Sequence, residues 1–147
     1  MDEFPLGANI AASHIGICTS DLERSTRFYT EALGFREEYS LEVGSEYDSL
    51  SELPGLKCRA AFFRQDGLRI ELLLFSEVFG ETERRSMNQL GLTHINFIVD
   101  DIEAVSARVA EFGGQVHHHT RVDTPNGRMV FCSDPDGVRI ELFEKSA

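Results

Sequence analysis

An α+β fold, with one strand–helix–three-strand unit used twice, is what this sequence predicts. Three observations carry that reading. Asp66-Gly67-Leu68-Arg69-Ile70-Glu71-Leu72 returns seventy residues later as Asp136-Gly137-Val138-Arg139-Ile140-Glu141-Leu142. His14-Ile15-Gly16-Ile17 and His94-Ile95-Asn96-Phe97 open two strand-like stretches eighty residues apart. Asp21 and Gly34 bracket a helical pattern and recur at that same offset as Asp101 and Gly114. A repeat this well aligned is a statement about architecture. With 147 residues there is material for one domain and a real core. Residues 1–147 therefore read as a single domain, with module one at residues 12–75 and module two at residues 92–144.

Taken in order, residues 1–11 are a loose lead-in. Residues 12–18 alternate, with His14, Gly16 and Cys18 on one face and Ile15 and Ile17 on the other, which is the period of a strand. Ser20-Asp21-Leu22-Glu23 has the form of a capping box, with the Ser20 hydroxyl available to the free amides. Leu22, Phe28, Tyr29, Ala32 and Leu33 follow at helical spacing, and Gly34 suits a left-handed helix end. A weak strand is expected over residues 35–41. The irregular stretch at residues 42–57 fits a binding loop or a plain solvated connection. Residues 59–64 make a strand, Asp66-Gly67 a hairpin turn, and residues 68–75 the return strand. After a polar connector at residues 76–91 the pattern restarts with a strand at residues 92–99. A helix then carries Ile102, Val105, Val109 and Phe112 as its apolar stripe and ends at Gly113-Gly114. Three strands, at residues 115–121, 128–132 and 138–143, close the chain.

The formal net charge of -11 disfavours nucleic acids and anionic membranes as partners and leaves a small molecule as the expected one. An anionic small molecule is still compatible, through arginines such as Arg59, Arg64, Arg121 and Arg128. No apolar run approaches the roughly 20 residues that span a bilayer. The acidic start Met1-Asp2-Glu3 is unlike a signal peptide. Cys18, Cys58 and Cys132 are odd in number and sit in apolar strand context. They read as reduced thiols in the cytoplasm, without an activating neighbour, rather than as a disulfide framework.

Strand alternation puts Ile70, Leu72, Ile140 and Leu142 on the faces that helices must cover. His14, Glu71, His94 and Glu141 then point the other way. A glutamate in mid-strand is costly to bury unpaired. One remedy is a pair of salt bridges, Glu71 with Arg69 and Glu141 with Arg139, beside incidental histidines. The other is one divalent cation held by all four side chains, for which imidazole and carboxylate suit Zn, Ni, Co, Mn or Fe(II). The agreement of both halves favours the cation. His117-His118-His119 tempts as a metal tract, but adjacent strand residues alternate faces, so at most His117 and His119 share one.

Roughly residues 10–145 resemble the vicinal oxygen chelate superfamily, the glyoxalase, bleomycin-resistance and extradiol-dioxygenase group. The resemblance rests on His14-Ile15-Gly16-Ile17, Asp21-Leu22-Glu23-Arg24-Ser25, Phe28-Tyr29, Leu33-Gly34-Phe35, Ile70-Glu71-Leu72, His94-Ile95, Asp100-Asp101-Ile102 and the run from Asp134 to Leu142. It implies that the two βαβββ modules curve into an open-barrel, metal-lined trough. His14, Glu71, His94 and Glu141 look like the His-Glu-His-Glu set of bacterial glyoxalase I. Methylmalonyl-CoA epimerase usually has glutamine where Glu71 stands.

The implied activity is that of a metal-dependent isomerase, epimerase or glyoxalase-like lyase moving a proton beside a carbonyl. Glu141 would be the principal base, and Glu71 a ligand or second base. The alternatives are an Fe(II)-dependent extradiol-type dioxygenase, which needs only His14, His94 and Glu141, and a non-catalytic antibiotic-binding protein, whose relatives usually lack the ligand set. The resemblance also implies a homodimer, with the metal site either confined to one chain or shared between two.

Overall fold

The computed structural model describes residues 10–147, so most of the expected lead-in lies outside the described residues. Module one begins with β1 (Ile15–Cys18), which leads into α1 (Leu22–Arg27) and a π-helical turn (Phe28–Ala32). It continues through β2 (Arg36–Val43), α2 (Asp48–Ser51), β3 (Cys58–Gln65) and β4 (Leu68–Phe75). Module two repeats the plan with β5 (Ile95–Ile98), α3 (Ile102–Glu111), β6 (Gln115–Thr124), β7 (Gly127–Ser133) and β8 (Arg139–Lys145). The βαβββ order is thus present twice, and the fold is α+β as the sequence predicts.

The strands form two four-stranded sheets, β1-β4-β3-β2 and β5-β8-β7-β6, with no closed barrel. In each, the first strand runs parallel to the last, and the remaining pairs are antiparallel. The registers are equivalent: Ile15 lies beside Ile70 and Gly16 beside Glu71, while Ile95 lies beside Ile140 and Asn96 beside Glu141. Along these paired strands, each side chain of one module therefore has a counterpart pointing the same way in the other.

Both helices start on an aspartate. Asp21 accepts from the Arg24 amide, and Asp101 from those of Glu103 and Ala104. The Ser20 hydroxyl is not the cap that the capping-box reading expects. It turns to the Asp136 carboxylate, where Thr19 and Arg24 also donate. The turn before β8 is thereby tied to the start of α1. A second tie runs from the Tyr29 hydroxyl to Asp134, 2.9 Å away in the interior. The loop at residues 42–57 is less irregular than expected: α2 is held by Asp48, whose carboxylate accepts from the Gly55 and Leu56 amides.

One core serves both modules. Ile70 and Leu72 from β4, Ile140 and Leu142 from β8, Phe28 and Tyr29 from the π turn, and Ile102 and Val109 from α3 all belong to it and are fully buried. The helical faces of both sheets are consumed in this cluster. Strand alternation then sends Glu71 and Glu141 to the opposite faces, away from the shared core.

Candidate metal centre

His14 immediately precedes β1, and its Nε2 stands 3.0 Å from Glu71 Oε2. His94 immediately precedes β5, and its Nε2 stands 2.9 Å from Glu141 Oε2. The parallel pairings β1·β4 and β5·β8 produce both contacts, because each histidine lies two residues ahead of the position that faces its glutamate. The surroundings repeat as well. Ser13 Oγ lies 2.8 Å from His14 Nδ1, and Thr93 Oγ1 lies 2.9 Å from His94 Nδ1. Each imidazole makes a T-shaped contact with a phenylalanine ring, Phe62 at 5.0 Å and Phe131 at 5.4 Å between centroids.

The sequence-predicted quartet is therefore brought together as two His–Glu pairs. Among the described residues no three His, Cys, Asp or Glu side chains gather closely enough within one chain to hold a metal. The salt-bridge alternative is not what forms either. Arg69 donates to Glu38 and to the Tyr39 hydroxyl, and Arg139 donates to the Arg85 carbonyl.

The donor chemistry of each pair fits a divalent cation. A separation near 3.0 Å is also that of neighbouring donors around a six-coordinate ion with bonds of about 2.1 Å. The flanking hydroxyl serves both states of the histidine. In each pair Nε2 lies within hydrogen-bond distance of the glutamate and Nδ1 within hydrogen-bond distance of the hydroxyl. Were Nε2 to hold a cation, Nδ1–H would be the donor left for that same oxygen.

Module two adds features absent from module one. His117 lies opposite Phe131 in the β6·β7 register and so faces the side of Glu141. Its Nε2 is 3.0 Å from Ser133 Oγ, and its ring centroid is 6.1 Å from that of His119. Burial, and then Arg84, His119 and Arg139, hold its pKa below the usual imidazole range. Of the arginines expected to meet an anion, three are engaged: Arg64 with Glu38, Arg121 with Glu103 and Asp123, and Arg128 with Glu144. The cysteines stay thiols. Burial pushes Cys132 up to about 11, and burial also raises Cys18 and Cys58. Sequence reasoning missed Phe62, Phe131 and the hydroxyls of Ser13 and Thr93. The last two were visible in the repeat, since each stands directly before its histidine.

Over residues 11–142 the chain matches the Glyoxalase/Bleomycin resistance protein/Dioxygenase superfamily. It belongs to that superfamily. An uncharacterized protein of Escherichia coli, YaeR, is 30% identical over 135 residues, covering 90% of this chain and 94% of the relative. A lactoylglutathione lyase of Haemophilus influenzae is 29% identical over 136 residues, covering 91% of this chain and 92% of the relative. Among solved structures, a glyoxalase family protein from Bacillus cereus superposes with a TM-score of 0.85 at 19% identity, covering 99% of this chain and 100% of that one. The likeness is one of fold. This superfamily takes in several chemistries, so membership leaves the reaction to be argued from the side chains.

Proposed function

We propose that the protein is a divalent-metal-dependent isomerase, epimerase or glyoxalase-like lyase that moves a proton beside a carbonyl of a small substrate. The observation that carries this reading is the identity of the two His–Glu pairs in partners, distances and flanking groups. His14, Glu71, His94 and Glu141 are the metal ligands, and Glu71 and Glu141 are also the candidate bases. When bound, the cation (Zn, Ni, Co, Mn or Fe) supplies Lewis-acid stabilisation of negative charge on a substrate oxygen.

The chain's own groups supply the rest. Glu141 accepts the proton at a carboxylate oxygen and returns it to a neighbouring atom. Glu71, on the other module, approaches from the opposite side. Phe62 and Phe131 wall the two pairs and keep the carboxylates partly out of water, with side-chain exposures of 19% for Glu71 and 21% for Glu141.

Because each pair points away from the shared core, the complete centre takes one pair from each of two chains of a homodimer. Cytoplasmic residence, suited to three free cysteines, belongs to the same reading. Metal analysis followed by solvent-deuterium exchange into a panel of 2-oxo and thioester compounds tests it. Metal-dependent exchange is expected, falling about 10²–10⁴-fold in Glu141→Gln. A protein that binds none of Zn, Ni, Co or Mn sinks the reading. Oxygen consumption with a catechol would replace it with ring cleavage.

A further inference from the structure

The repeat makes Arg139 the counterpart of Arg69, since each stands two residues before the glutamate of its pair. Their surroundings differ in what the guanidinium meets. Arg69 Nε donates to Glu38 Oε1 at 2.7 Å, with its guanidinium over Phe62 and its Nη2 on the Tyr39 hydroxyl. Arg139 is only 9% exposed, and its guanidinium carbon lies 5.6 Å from the centre of the Phe131 ring. Its Nη2 reaches the Arg85 carbonyl at 2.6 Å. Its Nε is the one buried side-chain polar atom without a partner among the described residues.

Module two supplies no carboxylate at the equivalent place. Where Tyr39 lies opposite Phe62, the residue opposite Phe131 is His117. A second cation, Arg84, stands close enough for Arg139 to weaken its hold on a proton, after the effect of its own burial. The ion pairs among the described residues include neither arginine. Both line an open cavity of about 930 Å³ together with His94, with Glu81, Glu83 and Asp136 on its wall. That volume suits a small metabolite. A buried, uncompensated guanidinium is expensive in a folded protein. In a chain of net charge -11, a buried Arg139 and a half-buried Arg84, neither in an ion pair among the described residues, ask for an anionic ligand.

We infer that Arg139 and Arg84 form a recognition site for an oxyanion group of the substrate, a carboxylate or a phosphate, held beside the His94–Glu141 pair. Residues two apart on a strand stand roughly 6.5–7 Å apart. The oxyanion and the atoms at Glu141 therefore belong to the same small molecule. Arg139 Nε is the donor left for that oxyanion, next to the Nη2 that already donates to the Arg85 carbonyl.

This deepens the proposed function by naming a feature of its substrate, so its test is read without metal. Metal-free protein is titrated with inorganic phosphate and, separately, with malonate, following the Arg139 Nε–H resonance by NMR. Saturable binding of at least one anion is expected. The preferred anion tells a phosphate from a carboxylate substrate. Arg139→Gln should weaken that binding about tenfold or more, and Arg84→Gln by a smaller factor. Arg121→Gln, on a surface arginine already paired with two carboxylates, should leave it unchanged. Cobalt binding by Arg139→Gln separates loss of the oxyanion site from loss of the metal centre. Arg84, half-buried on the connector between the modules, gives a variant outside the shared core. Equal binding by wild type, Arg139→Gln and Arg84→Gln overturns the assignment, as does the absence of saturable binding of either anion.

Discussion

Each histidine of the two pairs is aimed by the residue just before it, and that small detail has a measurable consequence. In the proposed metal centre, loss of the Ser13 or Thr93 hydroxyl would take from Nδ1 the partner that fixes the ring. Ser13→Ala and Thr93→Ala should each lower metal affinity about 10–100-fold while leaving the fold intact. Competition against a chelator measures this, and unchanged affinity would mean that the hydroxyls only decorate the rings. The His–Glu pairs themselves were legible in the sequence because strand alternation is a local rule and the repeat doubled the evidence. The isolation of Arg139 was not. It depends on Glu38 and His117, which reach their places through strand pairings that no local pattern encodes.

At the scale of elements, the cap of α3 and the tie at Asp136 make separate predictions. Asp101→Ala removes two amide partners from the start of α3 and should cost about 1 kcal/mol, read by urea unfolding. No loss of stability would mean that Glu144, which accepts from the Ile102 amide, caps the helix alone. Asp136 is pushed up by burial, but the donors Ser20, Thr19 and Arg24 outweigh this and leave its pKa below the usual carboxylate range. A lowered folded-state pKa means stability that is present above the unfolded value and lost as pH falls through the folded one. Asp136→Asn should therefore destabilise the protein by about 2 kcal/mol near neutrality and flatten the acid limb of its stability profile. Parallel acid limbs in both proteins would remove Asp136 from that role. The sequence pattern placed the helix here and chose Ser20 as its cap. Asp21 takes that role because the Asp136 carboxylate, far along the chain in the turn before β8, claims the Ser20 hydroxyl.

For the whole molecule, the repeat predicted two modules of like topology, and the structure has them. How the modules meet was not legible, because it rests on Phe28, Tyr29, Ile102 and Val109 closing one core across both sheets. That packing leaves the two His–Glu pairs on the sheet faces away from it, and the centre proposed above draws its missing half from a second chain. Mixing His14→Ala with His94→Ala and titrating with cobalt tests this most directly, once subunit exchange has been verified by mass. In a shared centre, a mixed dimer places both lesions in one site and leaves the other whole. About a quarter of wild-type tight cobalt binding should then return on mixing equal amounts, although neither variant alone binds tightly. No recovery after complete exchange, or a protein that sediments as a monomer with full cobalt affinity, would contradict a centre built from His14, Glu71, His94 and Glu141 across two chains.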